Sequence, residues 1–372
     1  MRNLVICCDG TNNQLLGDLT NVVRVFEISI KDPAQKLYYD PGVGTTPDPL
    51  EKGQIRKRWS MIKGLAFGAG LKTDVLEAYK WLMATYQEGD RIYLFGFSRG
   101  SFSIRVLAGM LHGVGLLHAG SENLLPYLWK AYRRIRRLPE GASEREKRKV
   151  EKCQREIDLL RRSFTRVCPV HFLGPWDTVG SVGMYNWNQS FAYTFKNPSV
   201  SIVRHAMALD ERRAAFRSNA FKADSTILAS QPGRRRVMNV WFPGVHSDIG
   251  GGYPWDQSAL AMISFKWMVE EAVKAGLRVD AGKFHQLLAD CPPDACGEIH
   301  ESLKGAWWIL EFLPARRYNW EKLKTIWRFS PNKERTPIES PIRHQSISDR
   351  MAQKKEYRPT NLKDLPDPPT EP

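Results

Sequence analysis

The hydrophobic positions of the chain form short apolar runs that are separated by longer amphipathic segments. Five runs of four to seven mostly apolar residues, each with Gly, Pro or Asp on at least one side, are typical of buried parallel strands. They cover residues 4–8, 36–39, 91–95, 167–173 and 237–242. Helical spacing of apolar residues occurs at 74–86, 101–117 and 258–275. Strands that alternate with helices predict an α/β fold with a doubly wound, mostly parallel sheet.

The same pattern divides the chain into three regions. Residues 1–280 are expected to form one α/β domain, with a charged helical insertion at 130–162. Residues 281–348 lack the regularly spaced apolar runs that predict strands, and they are expected to form a helical, Trp-rich flank or lid. Residues 349–372 are rich in proline and charge and are expected to form a tail. The segment 307–313 is interpreted either as an amphipathic interfacial element or as part of the core.

The charge of the chain is concentrated in the predicted insertion. The 372 residues include 55 Lys+Arg and 40 Asp+Glu, a net charge of +15. Residues 130–162 hold 13 Lys+Arg and 6 Asp+Glu. This insertion is either a solvated helical hairpin with internal Glu–Lys pairs or a surface that contacts phosphate groups. We expect peripheral contact with an anionic membrane rather than binding of nucleic acid.

Targeting segments and metal-binding patterns are not evident in the sequence. The N-terminus has only a short apolar run before Asp9, and no run of about 18 apolar residues occurs. We therefore expect no Sec signal, no transmembrane segment and a cytoplasmic location in the producing cell. The six cysteines form no CxxC pair and are expected to be reduced, with no structural metal and no cofactor.

The strand at 91–95 is followed directly by Gly96-Phe97-Ser98-Arg99-Gly100 and then by a helix. A GxSxG sequence between a strand and a helix is typical of a nucleophile elbow, in which glycines allow a tight turn that exposes the serine hydroxyl. The sequence therefore predicts that Ser98 is a nucleophile.

A nucleophilic serine needs a histidine to accept its proton and an acid to orient that histidine. Asp177 follows the run at 167–173, and His246 follows the run at 237–242. The order Ser98, Asp177, His246 is that of α/β-hydrolases. Asp248 and His344 are alternate partners that also respect this order. We prefer Asp177 and His246 because each comes soon after a predicted strand.

Acyl transfer also requires backbone amides that bind an oxyanion. The amide of Arg99 is one candidate, and the turn at Asp9-Gly10-Thr11 offers the amide of Gly10 or Thr11 as a second. A metal-dependent hydrolase that uses Asp9, His246 and Asp248 is a competing interpretation. Phosphatase chemistry is disfavoured because Cys7 stands where the DxDGT pattern places its nucleophilic aspartate.

Five motifs in order resemble the catalytic domain of type VI secretion phospholipase effectors. They are Cys8-Asp9-Gly10-Thr11-Asn12-Asn13, the elbow at 96–100, Trp176 to Gly180, Asp210-Glu211-Arg212-Arg213 and Gly244 to Tyr253, and Arg343-His344-Gln345-Ser346 extends the set. The resemblance implies an α/β-hydrolase that cleaves acyl esters of glycerophospholipids with a Ser-Asp-His triad at Ser98, Asp177 and His246. It also implies export by a type VI system and a secretion-machinery partner.

The sequence thus predicts a serine hydrolase of acyl esters, with phospholipid as the favoured substrate and an antibacterial effector role as an extension. One alternative is a general carboxylesterase. A second is a basic protein that binds anionic lipid or nucleic acid on an inactive hydrolase scaffold.

Overall fold

The computed structural model describes most of the chain. The described residues are 1–10, 19–42, 67–135, 138, 141–179, 191–213, 216–222, 226, 235–303, 315–319, 324–328, 334–337 and 342–362. The strands are β1 Asn3–Cys8, β2 Gln35–Asp40, β3 Arg91–Phe97, β4 Leu116–Leu117, β5 Thr165–Arg166, β6 Val170–Trp176, β7 Val200–Ala208, β8 Val237–Phe242, β9 Ala315–Asn319, β10 Lys324–Arg328 and β11 Ile342–Arg343.

The helices flank these strands on both sides. They are α1 Asn21–Ile28, α2 Phe67–Thr85, α3 Arg99–Val114, α4 Leu125–Arg134, α5 Glu144–Phe164, α6 His246–Gly250, α7 Ala259–Lys274, α8 Ala281–Asp290 and α9 Gln345–Gln353. Seven strands form one sheet in the order β11-β8-β7-β6-β3-β1-β2, and every neighbouring pair in it is parallel. The predicted doubly wound α/β class is confirmed.

Both faces of the sheet are buried, which explains why its strands have continuous apolar runs rather than alternating ones. In β1, Leu4 and Ile6 join the core under α2 and α3. Val5 and Cys7, which point to the other face, join the core under α1 and α7. Each large apolar side chain buried in this way contributes roughly 1.5–3 kcal/mol.

Two strands of the seven-stranded sheet, β7 and β11, are not predicted by the apolar runs, and β7 is the longer of them. Its sequence includes Arg204 and His205, which interrupt the apolar pattern, yet both side chains are fully buried. The Arg204 guanidinium donates to Glu271 Oε2 at 2.6 Å. A buried ion pair of this kind supplies the compensation that allows a charge inside a central strand.

The basic insertion contains a pair of helices. Ser143 and Glu146 form a reciprocal capping box that starts α5. The Arg134 guanidinium bonds to Glu156 at 2.6 Å and links α4 to α5. Most of α5 is exposed, and its buried residues are Cys153 and Ile157. This exposure is compatible with both interpretations of the insertion.

The C-terminal region is more mixed than the helical flank expected from sequence. It includes α8 and α9, but β9 and β10 pair antiparallel, and β11 adds an edge strand to the main sheet. The aromatic segment 307–313 and most of the predicted tail, 363–372, lie outside the described residues. No helix in the described ranges is both long enough and apolar enough to cross a membrane.

The sheet order has a switch point between β1 and β3. The chain leaves β1 for β2 on one side, whereas β3 lies on the other side of β1. Such a reversal opens a crevice at the carboxyl ends of the strands, where ligands of open α/β sheets bind. Asp9 follows β1 and Ser98 follows β3 at this place.

Candidate active site

Ser98 occupies a sharp turn between β3 and α3. Its φ of 56° and ψ of −115° lie outside the regions that most residues prefer. A Cβ at Gly100 would lie 2.0 Å from the carbonyl oxygen of Cys8, and one at Gly96 would lie 2.7 Å from that of Gly100. Both glycines are therefore required by close packing, as the sequence pattern predicts for an elbow.

The elbow is fixed to the neighbouring strand, which carries the candidate acid. The Ser98 amide donates to the carbonyl of Trp176, the last residue of β6, at 3.2 Å. Asp177 comes next, and its amide donates to Ala206 in β7 at 2.7 Å. Asp177 also has a positive φ, 36°. Strained non-glycine residues thus follow two adjacent strands at one edge, an arrangement that is enriched at functional sites.

The structure brings Asp177 and His246 together. His246 begins α6 after β8 and the left-handed turn at Gly244, which has a φ of 117°. His246 Nδ1 and Asp177 Oδ2 are 2.5 Å apart. The two side chains are 5% and 1% exposed, so this hydrogen bond is shielded from water.

The imidazole of His246 is held between two aromatic rings. The ring centroids of Phe97 and Phe216 lie 4.6 and 4.8 Å from that of His246. Phe97 immediately precedes Ser98, which places the imidazole at the elbow. Nε2, the ring nitrogen opposite Asp177, is buried and has no hydrogen-bond partner among the described residues.

The charges around this pair favour an ionised acid and a neutral base. Burial alone raises the pKa of Asp177, but the positive charge of Arg335 and the hydrogen bond from His246 outweigh it and hold the pKa below its ordinary value. Burial lowers the pKa of His246 more than its bond to Asp177 raises it. At neutral pH, Nδ1–H therefore donates to the carboxylate and Nε2 has a free lone pair, the state a general base needs.

Two residues around the pair were not predicted from sequence. Arg335 contacts both carboxylate oxygens of Asp177, at 2.5 and 3.0 Å. Glu211 accepts from the His246 amide at 3.2 Å and pairs with Arg213 at 2.8 Å. Glu211 lies in one of the motifs of the family resemblance, whereas Arg335 follows no strand or motif that could have indicated it.

The alternate acid, Asp248, belongs to a different network. Its Oδ1 is 2.6 Å from Nδ1 of His300, and its Oδ2 accepts from the amide of Val245 at 2.9 Å. His300 Nε2 is in turn 3.2 Å from Gln257 Oε1. Both nitrogens of this second imidazole are therefore engaged.

The alternate base, His344, caps α9 and contacts Ser346 through Nδ1 at 2.9 Å. Its ring stacks on Phe242 with 4.4 Å between centroids, and burial lowers its pKa to about 4. The structure thus gives Asp248 and His344 separate partners.

The candidate oxyanion donors have different positions. Arg99 is the first residue of α3, where backbone N–H groups have no acceptor within the helix. The Gly10 amide, in contrast, donates to Asp9 Oδ1 at 2.7 Å, so an oxyanion would have to displace that carboxylate. Thr11 lies outside the described residues.

The residues of the competing metal site are not gathered together. Asp9 accepts from the hydroxyls of Thr20 and Tyr39 at 2.7 and 3.1 Å, whereas His246 and Asp248 lie in the two networks above. Within the described ranges, no group of three or more His, Cys, Asp or Glu side chains is arranged to hold a metal ion.

A parallel α/β sheet with a strained serine elbow and a buried Asp–His pair at its carboxyl edge defines the α/β-hydrolase class. Residues 2–271 match the family described as T6SS, Phospholipase effector Tle1-like, catalytic domain. The chain belongs to this family, which confirms the resemblance deduced from the motifs.

The proteins similar to the chain include the following three. An uncharacterized protein of Saccharomyces cerevisiae, YEL023C, is 25% identical over 406 residues, covering 76% of this chain and 58% of that protein. A crystal structure of an uncharacterized protein from Pseudomonas aeruginosa is 20% identical, with a TM-score of 0.41, covering 75% of this chain and 46% of that one. The Tle1 effector, solved bound to the VgrG spike of the type 6 secretion system, is 17% identical, with a TM-score of 0.35 and coverages of 68% and 51%. The chain therefore spans about half the length of these proteins.

Proposed function

We propose that this protein is a serine hydrolase that cleaves acyl esters of phospholipids. Ser98 Oγ attacks the ester carbonyl, His246 Nε2 accepts the hydroxyl proton, and Asp177 holds the imidazole and balances the charge that it gains. His246 then returns the proton to the leaving alcohol. A water molecule, deprotonated in the same way, releases the fatty acid and regenerates Ser98.

The observation that carries the proposal is the contact between Asp177 and His246 at 2.5 Å. It lies next to an elbow whose serine has a φ of 56°. The unengaged Nε2 is the atom that a serine hydroxyl needs. The low pKa of Asp177 and the lowered pKa of His246 support the required protonation states at neutral pH.

The oxyanion that forms on the ester carbonyl needs preorganised donors. We propose the Arg99 amide as one and the turn after β1 as the source of the second. Removal of one such donor costs about 2.7–4 kcal/mol of transition-state stabilisation in other serine hydrolases.

The substrate class follows from the family, whose description names phospholipase effectors. The same description supports a role in type VI secretion. We extend the proposal to the secretion machinery as partner and rival cells as the target. Because one relative comes from a eukaryote, the proposal concerns the hydrolytic chemistry first and export by a type VI system second. Contact of the enzyme with an anionic membrane surface fits a phospholipid substrate.

The test combines active-site labelling with product analysis. A fluorophosphonate probe should label wild type at Ser98, identified by peptide mass spectrometry, and should not label Ser98→Ala. Wild type should release lysophospholipid and fatty acid from phosphatidylethanolamine and phosphatidylglycerol vesicles. Ser103→Ala, which changes a buried serine in the middle of α3, is the matched control and should retain labelling.

The possible outcomes separate the competing functions. Turnover of short p-nitrophenyl esters without release from vesicles would indicate a general carboxylesterase. Binding of vesicles by both wild type and Ser98→Ala, with no turnover of any ester by either, would indicate a binding protein and would refute the proposed catalysis.

A further inference from the structure

We propose that Arg335 is a positioning residue of this active site, which fixes the carboxylate of Asp177 and thereby the imidazole of His246. The inference rests on the proposed function. It extends the site beyond residue 271, where the match to the family's catalytic domain ends. Arg335 would therefore make the C-terminal region part of the catalytic machinery.

The first observation is that the carboxylate of Asp177 is fully occupied. Oδ1 accepts from Arg335 Nη1 at 2.5 Å and from the amide of Ala208 at 3.0 Å. Oδ2 accepts from Arg335 Nη2 at 3.0 Å and lies 2.5 Å from His246 Nδ1. A carboxylate has about four lone-pair sites, so these four contacts fix both its position and its plane.

The second observation is that all five N–H donors of Arg335 form hydrogen bonds. Nη1 also donates to the carbonyl of Ala208 at 3.0 Å, and Nε donates to the carbonyl of Phe216 at 3.0 Å. Nη2 donates to the same Phe216 carbonyl as well. The Arg335 side chain is fully buried. A lysine has three donors and no planar fork, so the site is specific for arginine.

The third observation connects Arg335 to the imidazole on a second side. The ring of Phe216, whose carbonyl Arg335 holds, lies edge-on to the ring of His246. Arg335 thus contacts both the acid that orients His246 and the backbone of a residue that packs on it. Small displacements of a catalytic group lower the rate steeply, about 10²-fold for 1 Å.

The guanidinium also sets the charge of the site. A cation beside Asp177 disfavours the protonation of both the carboxylate and the neighbouring imidazole. Arg213, the cation that lowers the pKa of His246, and Glu211, which raises it, are unchanged in an Arg335 variant. Loss of the Arg335 charge should therefore raise the pKa of His246, so that its basic form is reached only at higher pH. A residue that merely stabilised the fold would leave the pH profile of the folded enzyme unchanged.

The chain provides a matched control in Arg204. Its guanidinium is also fully buried and bonds to a carboxylate, Glu271 Oε2, at 2.6 Å. Arg204 lies on β7, the strand that ends at Ala208, but its ion-pair partner is Glu271 rather than Asp177. Arg204→Met should therefore lower the unfolding temperature without altering the pH profile of the folded fraction.

The experiment measures kcat, KM and the pH dependence of kcat/KM on a soluble acyl ester, together with thermal unfolding. For Arg335→Met we expect a fall in kcat of about 10²-fold, little change in KM, and an acidic limb displaced to higher pH. For Arg335→Lys we expect an acidic limb close to wild type, because the charge is kept, and a partly reduced kcat, because the fork is lost.

The inference would be overturned if Arg335→Met kept the wild-type kcat and the wild-type acidic limb. It would also be overturned if Arg204→Met showed the shift of the acidic limb that is expected for Arg335→Met. If Arg335→Met does not fold, Arg335→Lys becomes the test, and a wild-type kcat in Arg335→Lys overturns the inference. Full turnover by Ser98→Ala would instead refute the proposed function, so the two failures are distinguishable.

Discussion

The described residues include two Asp–His pairs, Asp177–His246 and Asp248–His300, and His246 and Asp248 are only two positions apart in sequence. The Nδ1–carboxylate distances are nearly equal, 2.5 Å for Asp177–His246 and 2.6 Å for Asp248–His300. The two pairs differ in what surrounds them. Nε2 of His246 has no partner in the described part of the chain, whereas Nε2 of His300 faces Gln257 at 3.2 Å.

The acids also differ. Asp177 is bonded to Arg335, which holds its pKa low. Burial raises the pKa of Asp248, because its hydrogen bonds only partly offset the loss of solvation. His300 is further covered by Tyr253, whose ring stacks on it with 3.7 Å between centroids. An Asp–His contact alone therefore does not distinguish the proposed catalytic pair, which also has an available Nε2 and a fixed, ionised acid.

The largest effect should come from removing one imidazole or the other. His246→Ala should reduce kcat by about 10⁴-fold or more, because the nucleophile loses its base. His300→Ala should leave kcat for a soluble ester close to wild type. Single-turnover hydrolysis of a p-nitrophenyl ester measures both. A comparable loss in His300→Ala would show that the second pair takes part in the chemistry.

A smaller but still large effect is expected from the acids. Asp177→Asn should lower kcat by about 10⁴-fold, because an amide places the wrong tautomer of His246 at the elbow. Asp248→Asn should mainly loosen the turn that begins at Val245 and should affect KM and kcat little. Steady-state kinetics of the two variants, with circular dichroism as the folding control, tests this contrast.

The pH profile of the wild-type enzyme should reflect the Asp177–His246 pair. Because burial lowers the pKa of His246, its imidazole stays neutral below the ordinary histidine pKa. We therefore expect kcat/KM to remain high as the pH falls through 6.5 and to decline only at lower pH. A plot of log kcat/KM between pH 4 and 8 with an acidic limb at or above 6.5 would contradict this.

The smallest effect should be a difference in how stability depends on pH. Asp177 has a lowered pKa in the folded state, so its stabilising contribution is present above its unfolded pKa and is lost as the pH falls through the folded one. Asp248 has a raised folded pKa, so protonation favours the fold and stability is gained as the pH falls. In thermal unfolding at pH 7 and pH 4.5, wild type should therefore gain stability relative to Asp248→Asn at the lower pH. No such gain of wild type over Asp248→Asn would contradict the raised pKa of Asp248.

Sequence reasoning identified the parts of the site that follow predicted strands. Ser98, Asp177 and His246 could be proposed because short apolar runs show where buried strands end, and the structure places all three residues at the carboxyl edge of the sheet. Their catalytic roles remain predictions. The strand β7 was missed because Arg204 and His205 break its apolar pattern, and their compensation by Glu271 depends on a helix distant in sequence.

Other features could not be deduced because they depend on tertiary contacts. Arg335 reaches Asp177 across 158 positions of sequence, from a segment with no periodicity or motif. Similarly, nothing in the sequence around Asp9 and Gly10 shows that the Asp9 carboxylate accepts the amide of Gly10.

The two arginine contacts of β7 have one mechanical consequence. The buried Arg204 in the middle of the strand is bonded to Glu271, and the carbonyl of Ala208 at the carboxyl end of the strand accepts a hydrogen bond from Arg335. A shift of this strand by one residue would turn Arg204 to the opposite face and leave its charge without a counterion. Electrostatic contacts therefore fix the register of β7 in the middle of the sheet. Insertions or deletions in the loops before and after β7 should change the conformation of those loops before they displace the backbone beneath Asp177.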